Sequence, residues 1–299
     1  MSPPAPFADR LAALVEERRS QICLGLDPDP AQLGPEGEAA AAGADAPAAV
    51  RAGAAVAAHC RALIERAGPA CVAVKPQLAC FERLGAPGWA ALAEACEAAR
   101  GAGLLVVADG KRGDVPVSAA AYAQALVGET PTPWGPVAGL GADAFTANPL
   151  LGADALEPLV EAAAAAGAGV FALVRTSNPG AADVEDLPAP ERPLHERLAR
   201  MVDDLAPRLA GESGLSGMGA VVGATEPGHI ARLRELMPRA VFLIPGVGAQ
   251  GGRPEHLGPA FAPGPASGLV AASRSIAADP DPAAAAERLR AAVWEASAA

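Results

Sequence analysis

Eight short apolar runs recur along the chain, separated by alanine-rich stretches with a helical pattern. Each run is continuously apolar rather than alternating, which is typical of strands in a parallel sheet covered on both faces. Eight strand–helix units in 299 residues predict an α/β fold, a closed (β/α)₈ barrel forming a single domain over residues 1–299. The predicted strands are Ile22–Leu26, Cys71–Val74, Leu104–Ala108, Ala142–Thr146, Gly169–Val174, Gly219–Val222, Ala240–Ile244 and Gly268–Ala272.

Two stretches are longer than the connections of a barrel require. Ala31–Ala55, after the first strand, is rich in Gly, Pro and Ala. Gly180–Gly217, after the fifth strand, combines a proline-rich loop with the helical pattern His195–Leu209. We interpret both as insertions in strand-to-helix connections. The clearest of the other predicted helices are Trp89–Arg100, Asp154–Ala166 and Pro227–Leu236.

Composition excludes several classes of protein. With 51% apolar and 19% charged residues the chain can bury a large core, and the net charge of −11 argues against a nucleic-acid partner. The longest uncharged stretch, between His256 and Arg274, is interrupted by prolines and cannot span a membrane. Five cysteines without a CxxC pair, and a first segment without an apolar signal core, predict a cytoplasmic protein. The neighbours His59 and Cys60 lie in a helical run and are expected to be buried rather than metal ligands.

Lysine is nearly absent from the chain. Of 23 basic residues two are lysines, Lys75 and Lys111, and 21 are arginines. Where the background composition favours arginine, a solvated lysine is readily replaced, but a position that needs a compact ammonium retains it. Both lysines directly follow or end apolar runs, so we expect both to be functional.

Polar side chains also follow most of the other predicted strands, and they are Asp27, Asp109, Ser177, Gln250 and Arg274. In a (β/α)₈ barrel the C-terminal ends of the strands form the active site. The pattern therefore predicts both a barrel and a site at this end of it.

The segment Asp109-Gly-Lys111-Arg-Gly-Asp114 carries the most chemical information. Side chains alternate along a strand, so Asp109 and Lys111 are expected on one face, with Asp114 a turn further on. Together with Lys75 from the adjacent strand they predict an alternating cluster of two ammoniums and two carboxylates. The alternative is an ion-pair lattice that only closes the end of the barrel.

Seven segments of the chain carry a more specific signal when taken in order. They are Cys23-Leu-Gly-Leu-Asp-Pro28, Val74-Lys-Pro-Gln77, Asp109-Gly-Lys-Arg-Gly-Asp114, Asn148-Pro-Leu-Leu-Gly152, Thr176-Ser-Asn-Pro-Gly180, Pro245-Gly-Val-Gly-Ala-Gln250 and Ser273-Arg-Ser275. With these segments the sequence resembles a known family, orotidine 5′-monophosphate decarboxylase, and in particular its longer bacterial branch. The resemblance covers most of the chain, and the order of the motifs makes it specific.

The resemblance implies decarboxylation of orotidine 5′-monophosphate to UMP without a cofactor or metal. Lys111 would stabilise the carbanion at C6 of the pyrimidine and then protonate it, and Asp109 would lie beside the substrate carboxylate. Lys75 would complete the network and touch the ribose. Asp114 and Ser118 would reach the active site of the partner subunit in a homodimer with shared sites.

The resemblance also implies the substrate contacts. Asp27 would bind a ribose hydroxyl, and Ser177 would recognise the edge of the pyrimidine. Gln250 would bridge base and phosphate, Arg274 would bind the phosphate, and Pro245 would line the same site. Gly246-Val-Gly-Ala-Gln-Gly251 formally matches a dinucleotide-binding motif, but so near the end of the chain we interpret it as a phosphate-facing loop, and Gly246–Pro254 as the candidate lid.

Other functions remain open from the residues. A sugar-phosphate decarboxylase or epimerase of the same barrel group, often magnesium-dependent, is the nearest rival. A Schiff-base aldolase fits less well, because flanking carboxylates keep a lysine protonated. A barrel that binds nucleotides without turnover is a further alternative. His195, His229 and His256 have no partner pattern, so surface or capping roles are expected for them.

Overall fold

A computed structural model of the protein describes residues 5–41, 45–248 and 250–298. Eight parallel strands close into a barrel, which confirms the predicted (β/α)₈ fold. The predicted single domain over 1–299 includes residues 1–4, 42–44, 249 and 299, which lie outside the described residues. In chain order the strands are β1 (Ile22–Leu26), β2 (Ala73–Pro76), β3 (Leu105–Arg112), β4 (Glu129–Thr130), β5 (Val137–Ala138), β6 (Ala144–Ala147), β7 (Gly169–Arg175), β8 (Ser216–Val222), β9 (Ala240–Ile244) and β10 (Gly268–Ala272).

The barrel runs β1-β2-β3-β6-β7-β8-β9-β10 and closes where β10 pairs with β1, for example Ile22 with Val270. The short strands β4 and β5 form a separate antiparallel hairpin. The helices are α1 (Phe7–Arg18), α2 (Pro35–Ala41), α3 (Ala48–Ala67), α4 (Leu78–Glu82), α5 (Ala86–Gly101), α6 (Pro116–Leu126), α7 (Ala153–Ala166), α8 (Leu194–Leu205), α9 (Pro227–Leu236), α10 (Arg274–Ala277) and α11 (Pro282–Ser297).

Helix α1 closes the N-terminal end of the barrel, away from the predicted site. Its apolar residues Phe7, Leu11 and Val15 are buried against side chains that point into the barrel. The Phe7 ring meets Phe171 edge to face with 5.8 Å between ring centroids. Gly169 leaves room for this contact, since a Cβ there would lie 2.7 Å from the Phe7 ring. With one end closed, the ligand-binding end is the other.

The two predicted insertions are shorter than expected. The last part of Ala31–Ala55 belongs to α3, which begins at Ala48, and residues 42–44 of this stretch lie outside the described residues. Alanine is the strongest helix former, so the Ala-rich composition marked the start of a barrel helix rather than a loop. Similarly, much of Gly180–Gly217 is α8 and the start of β8, and the true insertion precedes Leu194.

Two other connections depart from the regular pattern, and the sequence did not predict either. The hairpin β4–β5 lies between α6 and β6. Between β9 and β10 the described residues form 3₁₀ turns and no α-helix, as expected for a segment rich in proline. Buried Arg234 of α9 joins this connection to the start of β9, donating to the carbonyls of Met237, Ala240, Ala260 and Ser267 at 2.7 to 3.0 Å.

Replacing Phe7 by alanine tests the role of α1 as the closed end of the barrel. Phe7 is fully buried, so we expect Phe7→Ala to lower the free energy of unfolding by about 3–5 kcal/mol through lost burial and a residual cavity. Urea denaturation measures the change. The matched aromatic control is Trp134→Ala, because Trp134 is 92% exposed, and it is expected to stay within about 0.5 kcal/mol of the parent protein. An equal decrease in the free energy of unfolding in Phe7→Ala and Trp134→Ala would contradict this role of α1.

Candidate active site

A cavity of about 280 Å³ opens at the C-terminal ends of the barrel strands. The strand ends converge there, so residues far apart in sequence share one pocket. Most of the predicted site residues line it: Asp27, Lys75, Asp109, Lys111, Ser177, Pro245, Gln250 and Arg274. The described residues Asp114 and Ser118 do not.

Asp109 is the centre of the polar contacts in this cavity. Its carboxylate accepts from Lys75 Nζ and from Lys111 Nζ, each at 2.7 Å. Gln77 donates to it at 3.2 Å and Thr146 at 2.9 Å. Every acceptor direction of the buried carboxylate is therefore used, which is the condition for keeping a charge inside a protein.

The ion pairs fix the protonation states of Asp109 and Lys75. Burial by itself raises the pKa of Asp109, but the ammoniums of Lys75 and Lys111 outweigh it and hold that pKa below its ordinary value. Burial would likewise lower the pKa of Lys75, but the charges of Asp109 and Asp27 raise it overall. Asp109 is thus an anion and Lys75 a cation at neutral pH.

Lys111 lies on an irregular part of β3. Its φ of 47° is in the left-handed region, which is unusual for a residue other than glycine. The pairing of β3 with β6 shifts between Ala108 and Arg112, so the strand bulges at Lys111. The backbone N–H of Lys111 donates to Thr146 Oγ1 at 2.8 Å. Asp109 and Lys111 lie on one face, as predicted, but the bulge places them there and not the regular alternation of a strand.

Asp114 lies apart from the Lys75–Asp109–Lys111 cluster. Its Oδ1 accepts from the Val115 N–H at 2.7 Å, and among the described residues neither lysine bonds to it. Ser118 lies on α6, also outside the cavity. The four-membered cluster predicted from the residues is therefore not formed within one chain, because the backbone turns out of the cavity after Lys111.

Ser177 is held tightly at the edge of the cavity. A Cβ at Gly223 would lie 2.8 Å from Ser177 Cα, and one at Gly246 would lie 3.1 Å from Ser177 Cβ. Gly246 also has a φ of 100°, which L side chains rarely adopt. Ser177 is thus packed between the loops that follow β8 and β9.

The glycine-rich segment after β9 lies beside Arg274. Gly246, Val247 and Gln250 line the cavity together with Arg274, at the ends of the seventh and eighth barrel strands. This is where barrels of this class commonly bind phosphate. The predicted lid Gly246–Pro254 includes residue 249, which lies outside the described residues.

Comparison with known proteins identifies the family of this chain. The model of the orotidine 5′-phosphate decarboxylase / HUMPS family matches residues 20–289. The chain belongs to this family. An orotidine 5′-phosphate decarboxylase of Deinococcus radiodurans is 40% identical over 270 residues, 90% of this chain and 88% of that protein. One from Rhodopirellula baltica is 38% identical over 276 residues, 90% of this chain and 87% of the relative.

Solved structures of the same family share the fold. The structure of Leishmania donovani OMP decarboxylase superposes with a TM-score of 0.74 at 33% identity, covering 98% of this chain and 100% of that one. The orotidine 5′-monophosphate decarboxylase from Methanocaldococcus jannaschii, at 19% identity and a TM-score of 0.58 over 78% of this chain and 91% of that one, shares the fold.

In this member of the family, a partly buried ion-pair network that the sequence did not reveal supports the loop carrying Ser177. Arg175, the last residue of β7, donates to both oxygens of Asp186, at 2.9 and 3.0 Å. Glu185 accepts from the backbone N–H of Thr176 at 2.9 Å and from its hydroxyl. The network closes the loop of residues 176–186 at its base, just before Ser177. An Arg at the end of an apolar run was the available signal for it.

His195 belongs to this network instead of having the surface or capping role expected for it, and half-buried His229 lies beside it. Buried His195 has Nδ1 2.9 Å from the Glu185 carbonyl and 3.2 Å from Asp186 Oδ1. His229 packs on it with 4.8 Å between ring centroids. The trio of Asp186, His195 and His229 has ligand atoms close enough to hold a cation. Both Asp186 oxygens already bond to Arg175, so the trio is better described as part of the ion-pair network.

The cysteines and His59 of this family member contribute to packing and hydrogen bonding inside the protein. All five cysteines are free, and burial raises the pKa of the Cys23, Cys60 and Cys96 thiols to about 12. His59 Nδ1 accepts from the Gly34 N–H at 3.1 Å, and burial lowers the pKa of this imidazole. Within the described part of the chain, the helices include none long and apolar enough to cross a bilayer.

The lowered pKa of Asp109 predicts how stability depends on pH. As pH falls, the unfolded chain binds this proton first, so the stability from the ion pairs is complete above the unfolded pKa of about 4 and is lost below it. We therefore expect the difference in free energy of unfolding between wild type and Asp109→Asn to be constant from about pH 5 to 8 and to shrink below about pH 4.

Urea denaturation at each pH measures this difference. The control is Asp204→Asn on an exposed position of α8, expected to change stability by less than about 0.5 kcal/mol. A difference for Asp109→Asn that stays constant down to about pH 3 would show that the carboxylate is not held ionised by its neighbours.

Proposed function

We propose that this protein decarboxylates orotidine 5′-monophosphate to UMP and CO₂ in pyrimidine biosynthesis, without a cofactor. The observation that carries the proposal is the chain of ion pairs Lys75–Asp109–Lys111 at the open end of the barrel, with Lys111 lining the cavity. Relatives named orotidine 5′-phosphate decarboxylase, similar over most of the chain, support the same reaction.

The reaction requires a positively charged group next to the one carbon atom that becomes negative. When the bond from C6 to the carboxylate breaks, the electron pair remains in an sp² orbital in the plane of the ring, where no π system can delocalise it. Stabilisation must therefore come from charge placed there beforehand. In the proposed mechanism the ammonium of Lys111 stabilises this carbanion and then donates a proton to C6. Solvent restores the proton on Lys111.

Asp109 acts on the substrate carboxylate. Its lowered pKa keeps it negative, so a carboxylate bound nearby is repelled in the ground state. The repulsion is relieved as CO₂ leaves and the charge moves to C6, beside Lys111. Lys75 is the more buried of the two lysines, with 9% of its side chain exposed against 43% for Lys111, and this supports a neutralising role for Lys75 and a reacting role for Lys111.

One ammonium does not account for the catalysis. A contact between unit charges at 4 Å contributes about 1 kcal/mol in water and about 4 kcal/mol at the effective dielectric of a protein. The largest barrier reductions by enzymes reach about 20 kcal/mol. The remainder must come from parts of the substrate that do not react, whose binding orients the pyrimidine.

The cavity supports such remote binding. We propose that Arg274 binds the phosphate, that Gln250 bridges phosphate and base, and that Asp27 binds a ribose hydroxyl with Lys75. Ser177 recognises the edge of the pyrimidine, and Pro245 lines the same wall of the cavity. The cavity thus combines a cation for the phosphate, Arg274, with the Lys75–Asp109–Lys111 cluster, where the carboxylate-bearing carbon of the pyrimidine would lie.

Removing the Lys111 ammonium tests the reaction and its mechanism together. We expect wild type to release CO₂ from orotidine 5′-monophosphate in the presence of EDTA, and Lys111→Ala to lose at least about 10⁴-fold in kcat with an unchanged circular dichroism spectrum. Arg61→Ala, which removes an exposed charge from α3, serves as control and is expected to keep full activity.

The other outcomes identify the alternatives. Loss of activity in EDTA with turnover of a pentulose phosphate would support the sugar-phosphate enzymes of the same barrel group. Tight binding of UMP without CO₂ release would indicate a nucleotide-binding protein. Retained activity in Lys111→Ala would overturn the role of Lys111 even if the substrate is correct.

We also propose that the protein is a homodimer with shared active sites, Asp114 and Ser118 each acting in the site of the partner subunit. The surface beside these residues carries apolar side chains that a single chain leaves in water, which is typical of an interface. The loops that carry them adjoin, since Gly113 packs against the backbone of Asn148. The apolar side chains are Val115, Val117, Leu150 and Leu151.

Mixing two inactive variants tests the shared site. Lys111→Ala and Asp114→Ala are each expected to be inactive as homodimers. After unfolding and refolding together, half of the dimers are mixed and each has one site with both residues, so about a quarter of wild-type activity should return. Sedimentation shows whether dimers form. Dimers that regain no activity would contradict the crossing of Asp114 between subunits.

We propose further that the protein is a single-domain cytoplasmic enzyme without a nucleic-acid partner. Five unpaired thiols suit a reducing compartment. A net charge of −11 opposes association with a phosphate backbone.

A further inference from the structure

We propose that Thr146 is a positioning residue for the reaction, whose hydroxyl holds the backbone of Lys111 and the carboxylate of Asp109 in the geometry that decarboxylation requires. The inference rests on the proposed function. It assigns a role to a residue of β6 that none of the sequence motifs singled out.

The contacts of Thr146 form a closed ring. Its Oγ1 accepts from the backbone N–H of Lys111 at 2.8 Å and donates to Asp109 Oδ1 at 2.9 Å. The same Asp109 oxygen accepts from Lys111 Nζ at 2.7 Å. The ring thus leaves the backbone of Lys111, passes through two side chains and returns to the ammonium of the same residue. It fixes both ends of the lysine relative to one carboxylate oxygen.

The backbone of Lys111 needs this support. A left-handed conformation of a residue with a side chain is strained and persists only when its surroundings impose it. Ala108 pairs with Phe145 and Arg112 pairs with Ala147, so three residues of β3 face Thr146 alone. The sheet therefore supplies no regular partner for the Lys111 N–H, and the Thr146 hydroxyl takes that place.

The hydroxyl acts through its neighbours rather than on the substrate. Thr146 lies in the wall of the cavity but is only 1% exposed, and its single O–H is already donated to Asp109. Within the described part of the chain its hydroxyl bonds to Lys111 and Asp109 and not to the phosphate-side residues Gln250 and Arg274. Loss of the hydroxyl should therefore change the placement of the ammonium at C6 and leave nucleotide binding nearly unchanged.

Two substitutions at Thr146 separate the hydroxyl from the shape of the side chain. Thr146→Val keeps the branched shape without the hydroxyl, and we expect kcat to fall about 100-fold, the effect of a displacement near 1 Å at the reacting group. The affinity for UMP should stay within about threefold, because the remote contacts are intact. Thr146→Ser keeps the hydroxyl and should stay within about tenfold of wild-type kcat.

The matched control lies at the other end of the barrel. The hydroxyl of Ser216 is fully buried, donates to the Ala206 carbonyl at 2.7 Å and accepts from the Met218 N–H at 3.0 Å. Ser216→Ala therefore deletes a hydroxyl with the same two roles. It should lower the denaturation midpoint and leave kcat unchanged, which distinguishes positioning from general loss of stability.

A readout independent of turnover comes from the two lysines. Protein labelled with ¹⁵N-lysine gives backbone amide signals from Lys75 and Lys111 only, and Lys111→Ala assigns them. In Thr146→Val the Lys111 signal should shift and its amide hydrogen should exchange faster, while Lys75 should change little.

The outcomes are distinct for the two proposals. A wild-type protein that does not release CO₂ would contradict the proposed function, whereas the Lys111 amide signal still tests the positioning. An unchanged Lys111 amide in Thr146→Val, a kcat within about threefold of wild type, or equal losses in the Val and Ser variants would each overturn the role of Thr146.

Discussion

A negative charge buried between two positive ones underlies the organisation of this site. Asp109 is almost fully removed from solvent, and an isolated carboxylate at that position would bind a proton instead. It stays ionised because Lys75 and Lys111 contact its two oxygens and because Gln77 and Thr146 supply the remaining hydrogen bonds. Removing any of these partners leaves the buried carboxylate short of a counter-charge or of a hydrogen bond, so the contacts of the cluster depend on one another.

The barrel makes this arrangement possible. Parallel pairing places the end of β2 beside β3 and the end of β3 beside β6, so residues 34 and 37 positions apart meet at one carboxylate. Helix α1 fills the opposite end, and the polar cluster therefore faces a single opening. Charges held in this way do not have to reorganise when the substrate's charge moves, which is the physical basis of electrostatic catalysis.

The sequence predicted the features that leave a repeated pattern in the chain or that depend on the chemistry of single side chains. The apolar runs predicted all eight barrel strands, because continuous burial leaves a pattern in the chain itself. The scarcity of lysine led to Lys75 and Lys111. The sequence could not supply the bulge at Lys111 or the bonds of Thr146, which depend on how two strands align in space. The last part of an alanine-rich stretch interpreted as an insertion was the start of α3, since alanine is common in both.

The retention of lysine at positions 75 and 111 has an explanation in the geometry. A guanidinium is planar and has five N–H donors, whereas Asp109 presents two oxygens that already accept four hydrogen bonds. An arginine at position 75 would bring donors that the buried pocket cannot satisfy. At position 111 it would spread its charge over a plane and could not release a proton to carbon, because its pKa is too high. A compact ammonium meets both requirements, so a chain that uses arginine at every other basic position keeps lysine at these two.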